Sequence, residues 1–581
     1  MNNNKEITEI KTSRLSNNYI KAAAYADDIS VICKNDKSCI QQVFNEYDRL
    51  TNLSGLELNA DKTEILVLNS EKVSVIEFQY NGETYKIRTV ENMKICGLFF
   101  CTRQTVEHDL NVNEKIKKLS DKIRAWSHRY LTMEGKILIV KTFGLSQLIY
   151  NMQIYEFKKE DLVNIERIIF KFLWSNSEAQ TGIDRIKRSI MKNCYEMGGL
   201  NVTDVESLNK SLKLKQFIRA NSSNHVISLI QSDLSKNIHL TNEYDHITTE
   251  ESICESAQDT INVISDYNRT LFCALTEEEF AENSLLINEV ASINLKKYLK
   301  NKKKVLSLCL LKPLTNLNII TLGDLVQAYE YEREERISQA MKIVMGNFPK
   351  QLIEIAKCFN ENINSDSDRM EVMMTAPQQW TKMAEVTVKQ LQIILKSALN
   401  KIDSLNVTEK LKIEFYDEEN IIKFRQNCKN PKLRNIYFRL IHNDFFTHVK
   451  MKKYNMTQSD ECPRCGEPED LKHLLWGCTH ARHIWSIYNT IMESVKHKKT
   501  ENYNEVFIPG EDHATCVIKI KIIQVLIQID RPKHWNYEKI KKLIDQTMSI
   551  ELYNASRNCS LLAKYNARWK SFKTIFNEHS Q

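Results

Sequence analysis

The sequence predicts an α+β chain that is predominantly helical, on three observations. Only 13 Gly and 8 Pro punctuate 581 residues, which favours long helices joined by polar loops. Strand-like apolar runs are confined to the first hundred residues. Beyond them, apolar side chains recur at three- and four-residue steps. With 42% apolar residues, ordinary cores form and the length allows two to four domains.

The strand-like runs come first. Ala22-Ala23-Ala24-Tyr25-Ala26-Asp27-Asp28-Ile29-Ser30-Val31-Ile32 reads as apolar strand, acidic turn, apolar strand. Adjacent carboxylates between apolar residues repel each other and resist burial. A divalent cation relieves both costs, and Mg²⁺ takes a few carboxylate oxygens plus phosphate. The alternative is a hairpin turn with a solvated Asp pair. A helix is expected from Gln41 to Leu53, broken by Ser54-Gly55, with a strand following at Ile65-Leu66. Asn81-Gly82 marks a hairpin within Phe78–Tyr85. Met93 to Phe100, with Gly97 inside it, reads as one more strand.

Helices and positive charge follow. Ile116, Leu119, Ile123 and Trp126 fall on one helical face, with Lys115, Lys117, Lys118, Lys122 and Arg124 interleaved. Between Asn111 and Ala220 there are 20 Lys and Arg against 12 Asp and Glu, a surplus of eight in a chain whose net charge is +7. Positive charge concentrated in one segment points to a polyanion surface, or else to a solvated helical face. Helical runs recur at Ile165–Trp174 and Leu208–Ile218, with Gly198-Gly199-Leu200 stopping the element between them. Trp126, Phe170, Phe172 and Trp174 are expected in the core rather than as base-stacking platforms. From Asn221 to Asn430 the composition is helical, with an acidic stretch at Glu277-Glu278-Glu279 and a basic run from Lys296 to Lys304.

The third signal is a cysteine cluster. Fifteen cysteines, mostly single, suit a reducing compartment. Three of them are grouped. Cys462-Pro463-Arg464-Cys465, His473 and Cys478 give the spacing C-x2-C-x7-H-x4-C. Two thiolates on a tight turn, with a His and a Cys on the next element, supply four ligands for a closed tetrahedral Zn²⁺ site. With no open position, that zinc is expected to be structural. His480 and His483 are alternative nitrogen ligands. The N-terminal residues are polar and no apolar run spans a bilayer, so nucleus or cytoplasm is expected, with no membrane partner.

Several of these pieces, in this order, resemble the back part of non-LTR (LINE-type) retrotransposon reverse transcriptases, beginning just before motif C. Tyr25-Ala26-Asp27-Asp28 looks like motif C, Gly55-Leu56-Glu57-Leu58-Asn59 through Lys62-Thr63-Glu64 like motif D, and Lys94-Ile95-Cys96-Gly97-Leu98 like the motif E primer grip. Trp126 to Lys136 is similar to the family's W-x-x-R-x-L-S-x-x-G-R stretch, with Lys136 for the usual Arg. Phe172-Leu173-Trp174, Gly198-Gly199-Leu200 and Asn209 to Arg219 fit its further signatures, with Ser211 for Ala and Gln216-Phe217 for Lys-Trp. Glu469-Asp470, Leu474-Leu475 and Trp485 around the cysteines fit its C-terminal element.

The resemblance implies a partial palm of antiparallel strands over 1–105 and a helical thumb over 106–225. A helical connection over 226–430, a basic and aromatic segment with the zinc site over 431–500, and a helical tail over 501–581 follow. It implies RNA-directed DNA synthesis primed at a target site, with RNA and DNA (template-primer, and retrotransposon RNA) as partners. Asp27 and Asp28 would be the Mg²⁺ ligands and catalytic pair. Lys62 would be a proton donor to the leaving pyrophosphate, or else a solvated loop lysine. Lys117, Lys118, Lys122, Arg124, Arg129, Lys136 and Lys141 would grip the duplex backbone. The 24 residues before Tyr25 contain no aspartate, so motif A is expected to be missing and the chain inactive as a polymerase by itself. The tail offers only Asp530-Arg531-Pro532-Lys533-His534 towards an endonuclease, which is expected to be absent. Two other readings are a domesticated RNA- or DNA-binding or scaffold protein of the same descent, and a maturase of group II introns. The thumb signatures and the cysteine-to-histidine spacing argue against the maturase.

Overall fold

The structure, a computed structural model, describes residues 4–7, 22–25, 28–68, 75–155, 157–175, 184–222, 419–528 and 535–576 continuously, with shorter pieces between 314 and 416. Asp27, the acidic stretch at 277–279, the basic run at 296–304 and residues 530–534 lie outside the described residues. The architecture is a helix-rich α+β one with small sheets. It packs as two units. The first holds Met1–Lys122, Phe143–Glu166 and Val205–Lys401; the second holds Ile123–Thr142, Arg167–Asp204 and Ile402–Gln581.

The strands of the first unit are hairpins. β1 (Ala22–Tyr25) and β2 (Asp28–Val31) pair antiparallel, with Tyr25 opposite Asp28. Helix α1 (Lys37–Ser54) starts on the Asp36 side chain, which accepts from the Ser38 amide, and ends at Gly55 in the left-handed region at φ 73°. It starts earlier than its apolar periodicity alone suggests, because the cap lies outside the periodic run. β3 (Ile65–Leu66) runs parallel to β5 (Glu83–Val90), which pairs antiparallel with β4 (Val75–Tyr80). Asn81 and Gly82 both take positive φ, 50° and 78°, as a tight two-residue hairpin demands. Phe44 of α1 stacks on Phe78 of β4, and Tyr80 and Ile87 complete that core.

The stretch from Met93 to Phe100, expected as a single strand, is instead a second tight hairpin. β6 (Asn92–Ile95) and β7 (Leu98–Cys101) pair across Cys96 and Gly97, at φ 49° and 87°. Cysteine rarely adopts that conformation, so the turn carries no Asn-Gly signal. The Tyr150 hydroxyl donates to the Cys96 carbonyl at 2.7 Å, which holds the turn from outside. The chain then enters α2 (Gln104–His108), a π turn at Asp109–Asn113, and α3 (Glu114–Arg124). Asn111, fully buried in that turn, bonds both the amide and the carbonyl of Phe99, at 3.0 and 2.7 Å. Ile116, Leu119 and Ile123 of α3 are buried, while Lys117, Lys118, Lys122 and Arg124 are exposed.

The first helix wholly within the second unit is α4 (Met133–Ile139), capped by Thr132. After α5 (Ile149–Met152), in the first unit, α6 (Lys159–Trp174) crosses into the second unit at Arg167. α7 (Arg188–Lys192) follows there, and α8 (Val205–Ser222) returns to the first. The rest of the second unit is helical: α9 (Glu419–Asn427), α10 (Pro431–Ile441), α11 (His448–Lys453), α12 (Thr479–Ser494), α13 (His513–Leu526), α14 (Tyr537–Ala555) and α15 (Cys559–Arg568). α9, α10 and α12 pack on α13, which is buried nearly all round. A helix without a polar face belongs at the centre of a bundle.

Lys136, expected on the nucleic-acid face, lies in this interior. Its Nζ donates to the carbonyls of Phe172 and Leu173, at 3.2 and 3.1 Å, and to that of Ser175. Those carbonyls are the unpaired ones at the C-terminus of α6, where a cation complements both the orphan acceptors and the helix dipole. Burial holds the ammonium below the usual lysine range. The Gly135-Lys136 and Phe172-Leu173-Trp174 stretches are thus two halves of one cap.

Candidate metal centre and basic surfaces

The cysteine segment folds around its own backbone. Cys462 donates its amide to the Glu467 carbonyl at 2.7 Å, and the Gly466 amide returns to the Cys462 carbonyl at 2.9 Å. Gly466 sits at φ 84°, a conformation that a side chain would strain. The amides of Arg464 and Cys465 point at the Cys462 sulfur. On the other side, Asp470 receives the His473 amide at 2.7 Å and starts a π turn, His473–Gly477. The wide turn places Cys478, first residue before α12, back over His473, with its amide on the His473 carbonyl at 2.9 Å.

These two halves bring Cys462, Cys465, His473 and Cys478 together, with their ligand atoms all within 4.8 Å of one another. The Cys465 and Cys478 sulfurs are 3.8 Å apart, and Cys465 Sγ lies 3.2 Å from His473 Nε2. A tetrahedral zinc with Zn–S of about 2.3 Å sets its sulfurs roughly 3.8 Å apart, so the residues fit that ion. Cys462 and Cys478 are buried, and burial pushes the Cys462 thiol up to about 12. A thiolate there requires a cation beside it. His480 and His483, the alternative ligands, are outside the group.

The support beneath is largely apolar. Leu474, Leu475 and Trp485 are buried, and the Trp485 indole donates to the Leu475 carbonyl at 2.7 Å. Glu469, fully buried, accepts from the His448 amide and meets His448 Nδ1 at 3.0 Å, joining α11 to the cysteine loop. That pairing is a residue role the sequence did not disclose, since Glu469 and His448 are separated by the whole turn. The same holds for His442, at the end of α10, whose Nε2 lies 2.7 Å from the Gly198 carbonyl. It explains the Gly198-Gly199 pair in part. A Cβ on Gly199 would stand 2.2 Å from the Asn193 carbonyl oxygen.

The other expected site residues are differently placed. Asp28 and Tyr25 are exposed on the β1–β2 hairpin, Tyr25 at 73%. Lys62 is exposed at the end of a short 3-10 turn, Ala60–Lys62, held by the Asn59 side chain at 3.1 Å. Arg129 is exposed, with its guanidinium 4.9 Å from the ring centre of a half-buried Trp126. Lys141 is half-buried and donates to the Asn201 carbonyl at 2.6 Å. Trp174 is half-buried too, under the Arg185 guanidinium at 4.8 Å, whereas Phe170 and Phe172 are buried. Among the described residues, no helix is long and apolar enough to cross a membrane.

Four soft ligands closed by a knuckle and a helix start, on a helical support, define a small structural zinc-binding module. Residues 406–485 match the protein family described as zinc-binding in reverse transcriptase. The match covers the cysteine cluster and α9 to α11, and marks this segment as reverse-transcriptase-related.

Proposed function

We propose that this chain is a nucleic-acid-binding part of a LINE-type reverse transcriptase, with β1–β7 as palm strands, α3 to α8 as thumb and the zinc module as a rigid C-terminal brace. The observation that carries the reading is the four-ligand cluster inside the segment similar to reverse-transcriptase zinc-binding regions. The tight β6–β7 hairpin, its turn held by Tyr150, supports a primer-grip role for that turn. The exposed face of α3, with Lys117, Lys118, Lys122 and Arg124, together with Arg129 beyond it, is the proposed grip on template-primer phosphates. Asp27 and Asp28 are proposed as Mg²⁺ ligands of nucleotidyl transfer, with Lys62 as the proton donor, when the remaining oxygen ligands are supplied.

Zinc stoichiometry and a salt series test this together. The full chain should carry one zinc and bind an RNA–DNA template-primer with log K falling steeply against log salt. Lys117→Gln with Lys118→Gln should reduce that slope by about two. A chain holding zinc but showing no salt-dependent binding would overturn the reading.

A further inference from the structure

One charged cleft of the second unit belongs neither to the zinc cluster nor to the α3 surface. It is an open cavity of about 520 Å³ between the start of α10 and the helices α14 and α15. Lys429, Lys432, Lys564 and Arg568 line it. Lys429, Lys432 and Lys564 are exposed and have no ion-pair partner among the described residues. Lys521, half-buried on α13, is held below the usual lysine range by burial and by the neighbouring Lys432 ammonium. Positive charge is therefore gathered here against its own repulsion.

The carboxylate in the lining, Glu551, offsets the Arg568 charge but leaves the three lysines without an ion-pair partner among the described residues. Glu551 is turned onto its own floor, with Oε2 3.0 Å from His513 Nε2 and accepting from the Trp569 indole at 2.9 Å. Leu561, exposed at 47%, adds an apolar wall beside the cations, above the buried Tyr565. Three unpaired lysines around a cleft with one apolar side suit an anion that carries a flat apolar group. The volume is that of a small-molecule site, not of a groove for a duplex.

The geometry points to a second nucleic-acid contact: the cleft lined by Lys429, Lys432, Lys564 and Arg568 binds the phosphates of a single strand, with a base against the exposed Leu561. It rests on the reading above that this chain binds nucleic acid, and adds a site with a different preferred form, single strand rather than template-primer duplex. The shared chemistry is the phosphodiester, and matched RNA and DNA oligonucleotides distinguish the two sources.

The test is fluorescence anisotropy of the full zinc-loaded chain with a short unstructured RNA, and the same sequence as DNA, across a salt series. Lys432→Gln with Lys564→Gln should weaken binding about tenfold and lower the salt slope by about two, while template-primer binding changes less. Lys432→Arg with Lys564→Arg should restore both. Both lysines are exposed, so the fold is retained, with zinc content as the check. Acetylation mapping of the unmodified chain supplies a second measurement, in which bound strand should shield Lys432 and Lys564. An unchanged slope or unshielded lysines overturns the cleft. If Lys117→Gln with Lys118→Gln alone removes the slope, the cleft fails and the α3 reading stands. If only the cleft variants remove it, the α3 surface fails instead; absence of any salt-dependent binding sinks both.

Discussion

The turn at Tyr25–Asp28 and the knuckle at Cys462–Cys465 are both four residues long, and each carries two side chains of metal-ligating type. Around the knuckle, the backbone closes on itself through Cys462, Glu467 and Gly466, and a π turn returns His473 and Cys478 to the same point. Around the acidic turn, the described residues give only a two-stranded hairpin with Asp28 and Tyr25 facing solvent. The difference lies in where partners come from along the chain. Soft ligands of a small zinc site come from one local segment, so the sequence that supplies them also builds their enclosure. Carboxylates for two-metal chemistry draw on elements far apart in sequence, and a turn alone gives them no cage.

The strongest way to break that comparison is to open the enclosed site. Cys462→Ser with Cys465→Ser should release the zinc and destabilise the second unit by more than about 4 kcal/mol, because ligand binding there is folding energy. Metal analysis with thermal unfolding checks it. A variant that loses zinc and keeps its melting temperature would show that the apolar support, not the ion, holds the segment.

A smaller effect sharpens the same point elsewhere in that unit. Gly199→Ala puts a Cβ 2.2 Å from a backbone oxygen that cannot swing away, and should cost about 3 kcal/mol. His442 beside it is lowered to about 4, chiefly by burial. Its neutral Nε2–H donates to Gly198, and its Nδ1 has no partner among the described residues. Because the folded value lies below the unfolded one, near 6.5, the stability is complete above pH 6.5. It is lost as pH falls from 6.5 to about 4, on the order of 3 kcal/mol. Denaturant midpoints across that window should fall in the native chain and fall less in His442→Gln.

How legible this was differs by element. The zinc quartet is legible because its four ligands lie in one short segment, although spacing alone leaves His480 and His483 open and the fold excludes them. The hairpin at Asn81-Gly82 was readable because both turn residues tolerate positive φ, and the one at Cys96-Gly97 was missed because cysteine does not announce it. Lys136 was misplaced for a different reason. A lysine three residues into an amphipathic helix reads as solvent-facing, and only the position of the α6 C-terminus shows three carbonyls waiting for its ammonium. Ile116, Leu119 and Ile123 gave the buried face of α3 correctly, because periodicity reports local burial. Tertiary partners such as His442 with Gly198, or His448 with Glu469, left no periodic trace.

The smallest effect belongs to the open turn. Asp28 is exposed on a hairpin and makes no ion pair among the described residues, so Asp28→Asn should move stability by less than about 0.5 kcal/mol and leave zinc content unchanged. That near-silence is informative beside the cysteine variants, because it separates a side chain the fold needs from one that only a ligand would need. If Asp27 and Asp28 hold Mg²⁺ against template-primer phosphates, Asp27→Asn with Asp28→Asn should abolish any Mg²⁺-dependent gain in template-primer affinity while sparing the Mg²⁺-free binding through α3. Anisotropy with and without Mg²⁺ reads both terms in one titration. A gain that survives in the double variant would take the metal away from this turn, and a stability loss comparable to that of the cysteine variants would mean the hairpin is enclosed after all.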